Sequence, residues 1–211
     1  MKPKTFALSS IFPNPFARVE FEGMEDVNRG ILAYALDCER AGKVKRGNDD
    51  KTITAWGDCF QVSLGQDSPP PLVELADAVR RAMGHFLEQI GLKGSMGRAR
   101  ASGWLVLARA GGYNGPHAHP HGTFSTIYHA VMPEKPFPQG RLEFVNPIGT
   151  QGFHSFASVN EVVPSKAGNL FILPSYLIHF VHPFEGPGER VSVNMDFFIE
   201  SGPATALRGG G

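Results

Sequence analysis

"GWLVLARAGGYNGPHAHPHGTFSTIYHAV", Gly103 to Val131, reads as strand, turn, strand, turn, strand. Two β-rich apolar runs, Gly103–Ala110 and Thr123–Val131, enclose a Gly-rich turn and an extended stretch. That stretch carries His117, His119 and His121 at every second position. In extended backbone alternate side chains point the same way, so the three imidazoles would share one face. Converging imidazoles usually serve a metal. A polar loop of solvated histidines is the alternative that the local sequence leaves open. The choice depends on whether the rest of the chain supplies a remote ligand and a closed fold to aim it.

Downstream the same texture continues. "RLEFV", "VNEVVP", "NLFILP", "LIHFVHPF" and "RVSVNMDFFI" alternate with Gly, Pro and Asn turns, and no long helical period interrupts them. With the first three runs they make eight short strands, the signature of a double-sheet jelly roll. Upstream, Ala17, Val19 and Phe21 alternate with charged residues in "IFPNPFARVEFEG", a strand. A helix is expected from about Met24 to Ala41, with Val27, Ile31, Tyr34 and Ala35 at helical spacing. "SPPPLVELADAVRRAMGHFLEQIG" is a second helix, opened by prolines and closed by Gly91. Its apolar stripe is Leu72, Leu75, Ala76, Val79, Met83, Phe86, Leu87 and Ile90. The expected fold is α+β: a double-stranded β-helix (a jelly roll, or cupin-like barrel) with N-terminal helices packed on one sheet. The chain divides into a helical scaffold over 1–100, a jelly-roll core over 101–200 and a flexible tail over 201–211, all in one domain of 211 residues.

Composition narrows the function. Hydrophobic residues make up 42%, enough for a sizeable core. Twenty basic residues balance twenty acidic ones, so there is no electrostatic footprint for nucleic acid or an anionic membrane. The basic cluster "KVKRGNDDK", Lys43–Lys51, contains its own acids. Cys38 and Cys59 form no Cys-x-x-Cys pair, which suits a reduced, cytoplasmic protein. The N-terminus does not read as a signal peptide, and no apolar run reaches the roughly 18 residues of a membrane span. Oligomeric state stays open, a homodimer among the options.

A remote ligand is available. In "LPSYLIHFVHP", Leu173–Pro183, His179 shares an apolar strand face with Leu177 and Val181. Its distance from the first cluster lets the seventh strand of a jelly roll return beside the second. Farther on, Arg190 and Ser192 share a face that is inward if Val191 and Val193 point out. A buried Arg needs an anion. A small-molecule carboxylate held by the guanidinium fork would serve, and so would a surface pair with Glu189 or Asp196; both readings stand.

The ordered set of these motifs resembles the Fe(II)/2-oxoglutarate-dependent oxygenases, and within them a small bacterial and phage branch. The matching residues are Phe12-Pro13, Trp104, Gly111-Gly112, Asn114 and His117-Ala118-His119-Pro120. They continue with Ser125 to His129, Gly140-Arg141-Leu142-Glu143-Phe144 and Gly168-Asn169-Leu170. The set closes with Leu173 to Pro183 and Arg190-Val191-Ser192, densest between Trp104 and Asn194. The resemblance implies Fe(II) held by His117, His119 and His179. It implies 2-oxoglutarate as cosubstrate, its far carboxylate on Arg190 and Ser192. It implies hydroxylation of a small-molecule, amino-acid or peptide substrate with release of succinate and CO2.

Two positions depart from the pattern. His119 stands where the superfamily most often has Asp or Glu, giving a neutral triad that leaves more positive charge on the site and could favour zinc. Glu143 or Asp196 could supply the missing carboxylate. His129 stands where the branch has Tyr. Parity puts Ser125, Ile127 and His129 inward, so Ser125 and His129 join the cosubstrate-binding candidates. A core His129 bonded to a backbone carbonyl is the alternative. Pro120 turns His121 toward the cavity mouth, and Asn114 and Asn194 join it as substrate or supporting residues. His182 is outward, His85 and His154 are incidental, and Trp104 is core. "MPEKPFPQG" and "PIGTQGFHSFASVN" are placed to select substrate. Two other functions compete: a three-histidine cupin-like enzyme that does not use 2-oxoglutarate (a thiol dioxygenase or isomerase type), and a non-catalytic barrel binding a small acid or a metal. The Arg190-x-Ser192 pair favours the oxygenase.

Overall fold

Alternating apolar runs need two faces to cover, and the computed structural model shows how both are covered. It describes residues 3–11, 14–46, 55–56, 59–64, 67–146 and 160–200. In chain order come β1 (Pro3–Ile11), β2 (Asn14–Phe21), α1 (Glu25–Arg40), β3 (Lys45–Arg46), β4 (Ala55–Trp56), β5 (Cys59–Leu64) and α2 (Pro70–Gln89). A 3₁₀ turn, Ser95–Arg98, leads into β6 (Ala99–Ala108), β7 (Tyr113–His117), β8 (Phe124–Val131) and β9 (Leu142–Val145). β10 (Asn160–Val163), β11 (Asn169–Pro174), β12 (His179–Val181) and β13 (Arg190–Ile199) follow.

The strands form two antiparallel sheets. The larger runs β1-β2-β11-β8-β13-β6-β5-β3 and the smaller β10-β9-β12-β7-β4. Each of the eight runs read from the sequence after Ser102 is a strand, β6 to β13. β6, β8, β11 and β13 lie in the large sheet and β7, β9, β10 and β12 in the small one, a jelly-roll order in which β12 returns beside β7. The first hundred residues are not only helical scaffold. β1 and β2 extend the large sheet beyond β11, β5 and β3 extend it beyond β6, and β4 pairs with β7. Sheet edges present unpaired backbone groups, and these non-helical segments cover them. The β1 strand has no counterpart in the sequence reading. Phe12-Pro13, His154, most of the "PIGTQGFHSFASVN" segment and the 201–211 tail lie outside the described residues.

The two faces of the large sheet have opposite duties. On β13, Val191, Val193, Met195 and Phe197 pack under the helices with Leu105 and Leu107 of β6 and Phe124, Tyr128 and Ala130 of β8. Val27, Ile31, Ala35 and Cys38 of α1 and Leu72, Leu75, Val79, Met83, Phe86 and Leu87 of α2 cover them. Ile90, at the end of the predicted stripe, is half-buried. The helices touch closely at Gly30, where a Cβ would lie 2.4 Å from Pro71 Cγ. Tyr128 Oη donates to Asn28 Oδ1 of α1 at 2.7 Å, satisfying its one buried polar atom. On the other face, Phe16, Ile127, Leu142, Phe144, Phe171, Leu173 and Val181 fill part of the space between the sheets. The remainder is a cavity. Among the described residues, no helix is long and apolar enough to cross a membrane.

Phe86 is fully buried and packs edge-on against Phe124, centroids 5.2 Å apart. Phe86→Ala is expected to cost about 3–5 kcal/mol in urea unfolding while leaving metal affinity unchanged. A loss under about 1 kcal/mol would show that α2 is not part of the core.

Candidate active site

Three histidines reach one point by three different local routes. His117 ends β7, where it pairs with His179 of β12, and Val181 pairs with Asn114. Two steps along β12 thus face three along β7, a bulge at Gly115 and Pro116. Proline cannot donate to a ladder and is tolerated there. The bulge resets parity, so Asn114 and His117 both line the cavity. His119 lies beyond the strand. Its N–H donates to Ser175 O at 2.7 Å, and its carbonyl accepts from Gly122 N–H at 3.0 Å, closing a turn over Pro120 and His121. His121 is exposed at the mouth. Gly122 is required by space: a Cβ would come within 2.4 Å of Ser175 Oγ.

The candidate ligand atoms of His117, His119 and His179 lie within 4.8 Å of one another. Ring centroids are 4.4 Å apart for His117–His179, 5.1 Å for His119–His179 and 5.3 Å for His117–His119. Each ring is anchored through Nδ1. His117 Nδ1 donates to Gly115 O at 2.7 Å and His179 Nδ1 to Leu177 O at 2.9 Å. His119 Nδ1 faces Asp196 Oδ1 at 2.7 Å. Carbonyls and carboxylates only accept, so the proton sits on Nδ1 and Nε2 is left to ligate. Burial, reinforced by the two neighbouring rings, holds His179 well below its ordinary pKa; burial chiefly lowers His117 too. Neutral imidazoles are the form a metal needs. Three such donors beside an open cavity fit a divalent first-row metal with free coordination positions.

The cavity has a volume of about 300 Å³. Strand β13 puts four polar residues at period two on its wall: Arg190, Ser192, Asn194 and Asp196. Arg190 is 2% exposed and its Nη2 donates to Asn114 Oδ1 at 3.4 Å. Glu189 faces Arg109 at 3.8 Å, and Asp196 faces His119. Trp104, Ile127, Leu142 and Val181 give the apolar part of the lining. Trp104 is only half-buried and its ring is 5.2 Å from that of His119, so it is a wall of the site rather than the core residue expected. Its place on β6 at the same parity as Val106, opposite Asn194 of β13, was not legible without the strand pairing.

Other expectations are redirected. Glu143 does not join the histidines. It faces away from Leu142 and Phe144 on β9, accepting from Asn160 Nδ2 at 2.5 Å and pairing with His182 Nε2 at 2.5 Å. Asp196 stands behind His119 rather than beside it. Ser125 is also behind the site: its hydroxyl donates to Asp196 Oδ1 at 2.7 Å and meets Ser175 Oγ at 2.8 Å. A short side chain on an inward strand position reaches its neighbours before it reaches the cavity. Ser175 was not singled out in the sequence.

His129 faces inward on β8, fully buried, with Phe171 edge-on at 5.6 Å. Neither ring nitrogen has a hydrogen-bond partner among the described residues, so the carbonyl-bonded core histidine is not what forms. Burial, with the nearby Arg190 and Arg141 charges, pushes its pKa down to about 3. An unfolded histidine titrates near about 6.5. Between those values the unfolded chain binds the extra proton, so stability is fully present above about pH 6.5 and falls as pH drops. The slope reaches about 1.4 kcal/mol per pH unit for a fully displaced group. His117 and His179 act with the same sign. Metal-free His129→Phe should therefore lose less stability than the parent protein between pH 7 and pH 5 in urea unfolding. Equal losses would mean that His129 does not stay neutral in the folded state.

Residues 102–196 match the model of the family described as "Putative 2OG-Fe(II) oxygenase". No curated protein matches the sequence. Among solved structures, the chain is similar to a Pseudomonas putida prolyl-4-hydroxylase, at 15% identity and TM-score 0.68 over 89% of this chain and 94% of that one. It is similar to a Trichoplax adhaerens prolyl hydroxylase in complex with a hypoxia inducible factor peptide fragment, at 13% identity and TM-score 0.63, covering 87% and 83%. It is also similar to HygX from Streptomyces hygroscopicus, solved with nickel, 2-oxoglutarate and hygromycin B, at 11% identity and TM-score 0.55, covering 88% and 83%. At these identities the structural likeness establishes the fold.

Proposed function

We propose that this chain, whose residues 102–196 match the 2OG-Fe(II) oxygenase family model, binds Fe(II) through His117, His119 and His179 and 2-oxoglutarate through Arg190. On this reading it hydroxylates a small-molecule, amino-acid or peptide substrate. The observation that carries it is the buried guanidinium of Arg190 in the same cavity wall as the three imidazoles. A cationic fork enclosed with a metal site is built for a ligand that has a chelating end and a remote carboxylate.

When bound, Fe(II) and 2-oxoglutarate supply the oxidation: one atom of dioxygen enters the substrate as hydroxyl, the other enters succinate, and CO2 leaves. The protein's part is placement. Arg190 takes the far carboxylate on two N–H groups, and Ser192, next on that wall, offers its hydroxyl to the same oxygens. Asn114 steadies the fork from β7. His129 lies beside Ser192 in the β8–β13 register but is fully buried and does not line the cavity, so on this reading it stands behind the carboxylate site. Trp104, Leu142 and Val181 exclude water and shape the substrate side, with Asn194 and His121 as its polar contacts.

Anaerobic addition of Fe(II) and then 2-oxoglutarate to the metal-free protein tests this. The expected result is a coloured metal-to-ligand charge-transfer complex that bleaches on air with formation of succinate. The three-histidine donor set itself favours one other reading, a cupin-like metal enzyme that ignores 2-oxoglutarate. That enzyme would bind the metal without the coloured complex, and a non-catalytic barrel would consume no oxygen with any cosubstrate.

A further inference from the structure

We infer that Asp196 is a positioning residue that delivers a negative charge to the metal through His119, in place of a carboxylate ligand. The inference rests on the three-histidine site proposed above. Three neutral imidazoles bring no charge to a divalent cation, and Arg190 adds a further positive charge to the same enclosed cavity. Unbalanced charge in a buried site is costly. Among the described residues lining that cavity, Asp196 is the single acid.

Its contacts aim it at one ligand. Oδ1 lies 2.7 Å from His119 Nδ1, whereas the equivalent nitrogens of His117 and His179 donate to neutral carbonyls. The three ligands are therefore unequal: His119 alone is backed by an anion. A carboxylate accepting from Nδ1–H fixes the ring orientation and makes Nε2 a stronger donor. The carboxylate is held in turn. Ser125 donates to the same oxygen at 2.7 Å, and Ser175 meets Ser125 at 2.8 Å. Gly122 gives Ser175 the space to do so. β13 carries Asp196 on the same face as Arg190, so anion and cation are placed at opposite functions by one strand.

The test separates charge from orientation, using the metal alone. Asp196→Asn keeps the size and an oxygen acceptor but removes the charge. In titrations of the metal-free protein with Co(II) and Fe(II), without 2-oxoglutarate, it should weaken binding about 10- to 100-fold. It should also raise the Fe(III)/Fe(II) midpoint potential. Adding His119→Asp to Asp196→Asn returns the carboxylate directly to the ligand position and should recover affinity and lower the potential again. Ser125→Ala removes one contact to the carboxylate but leaves its charge in place, so it should weaken binding by less than about 10-fold, and a larger loss there would overturn the inference even if Asp196→Asn does not fold. Circular dichroism checks folding of each variant. Unchanged affinity and potential in Asp196→Asn would overturn the inference, as would a loss in Ser125→Ala equal to that of Asp196→Asn. A parent protein that binds neither metal would sink the metal reading itself, a separate outcome.

Discussion

Arg190→Ala should all but abolish 2-oxoglutarate binding while Fe(II) still binds. The guanidinium is 2% exposed, so a carboxylate bound to it is desolvated along with it. Truncating one partner of a buried, hydrogen-bonded charge pair costs about 2–5 kcal/mol. At about 1.4 kcal/mol per factor of ten, that is a rise of roughly 30-fold to several thousand-fold in the 2-oxoglutarate Kd. Arg190→Lys keeps the charge but not the planar fork and should fall between the two. The fold should survive, because the side chain faces a cavity rather than the core under the helices. Fluorescence or calorimetric titration of the Fe(II)-loaded protein measures this. An unchanged Kd would remove the support for 2-oxoglutarate and favour the cupin-like alternative.

His119→Ala and His179→Ala should each lose metal by more than 100-fold. Losing the partner behind a ligand costs about 10–100-fold, and losing one of only three ligands costs more. His121→Ala should bind as tightly as the parent, because His121 is exposed at the mouth beyond Pro120. The pair of results is informative by contrast. If His121→Ala lost the metal and His119→Ala kept it, the turn over Pro120 would have to place the second ligand two residues later. Competition with a chromophoric chelator gives the affinities, and far-UV circular dichroism checks that buried His179 can be truncated without unfolding.

The period-two runs by themselves determined eight strands, because one face of every strand must be apolar. They also put Arg190, Ser192, Asn194 and Asp196 on one face of β13 and Val191, Val193, Met195 and Phe197 on the other, and packing of the second set under the helices decided which face is inward. The helical stripe from Leu72 to Leu87 determined α2 in the same way. Such patterns are local, and they say which side of a strand a residue occupies but not what stands opposite. Tertiary structure decided the rest. The β7 bulge, set by pairing with β12, put Asn114 and His117 on one wall. Packing of the turn against Ser175 carried His119 inward after its strand had ended. The register of β13 against β8 brought Asp196 opposite Ser125 and so within reach of His119, while strand parity on β9 sent Glu143 to His182. Both acids were equal candidates in the sequence; only long-range strand pairing, which depends on contacts far apart in the chain, could tell them apart.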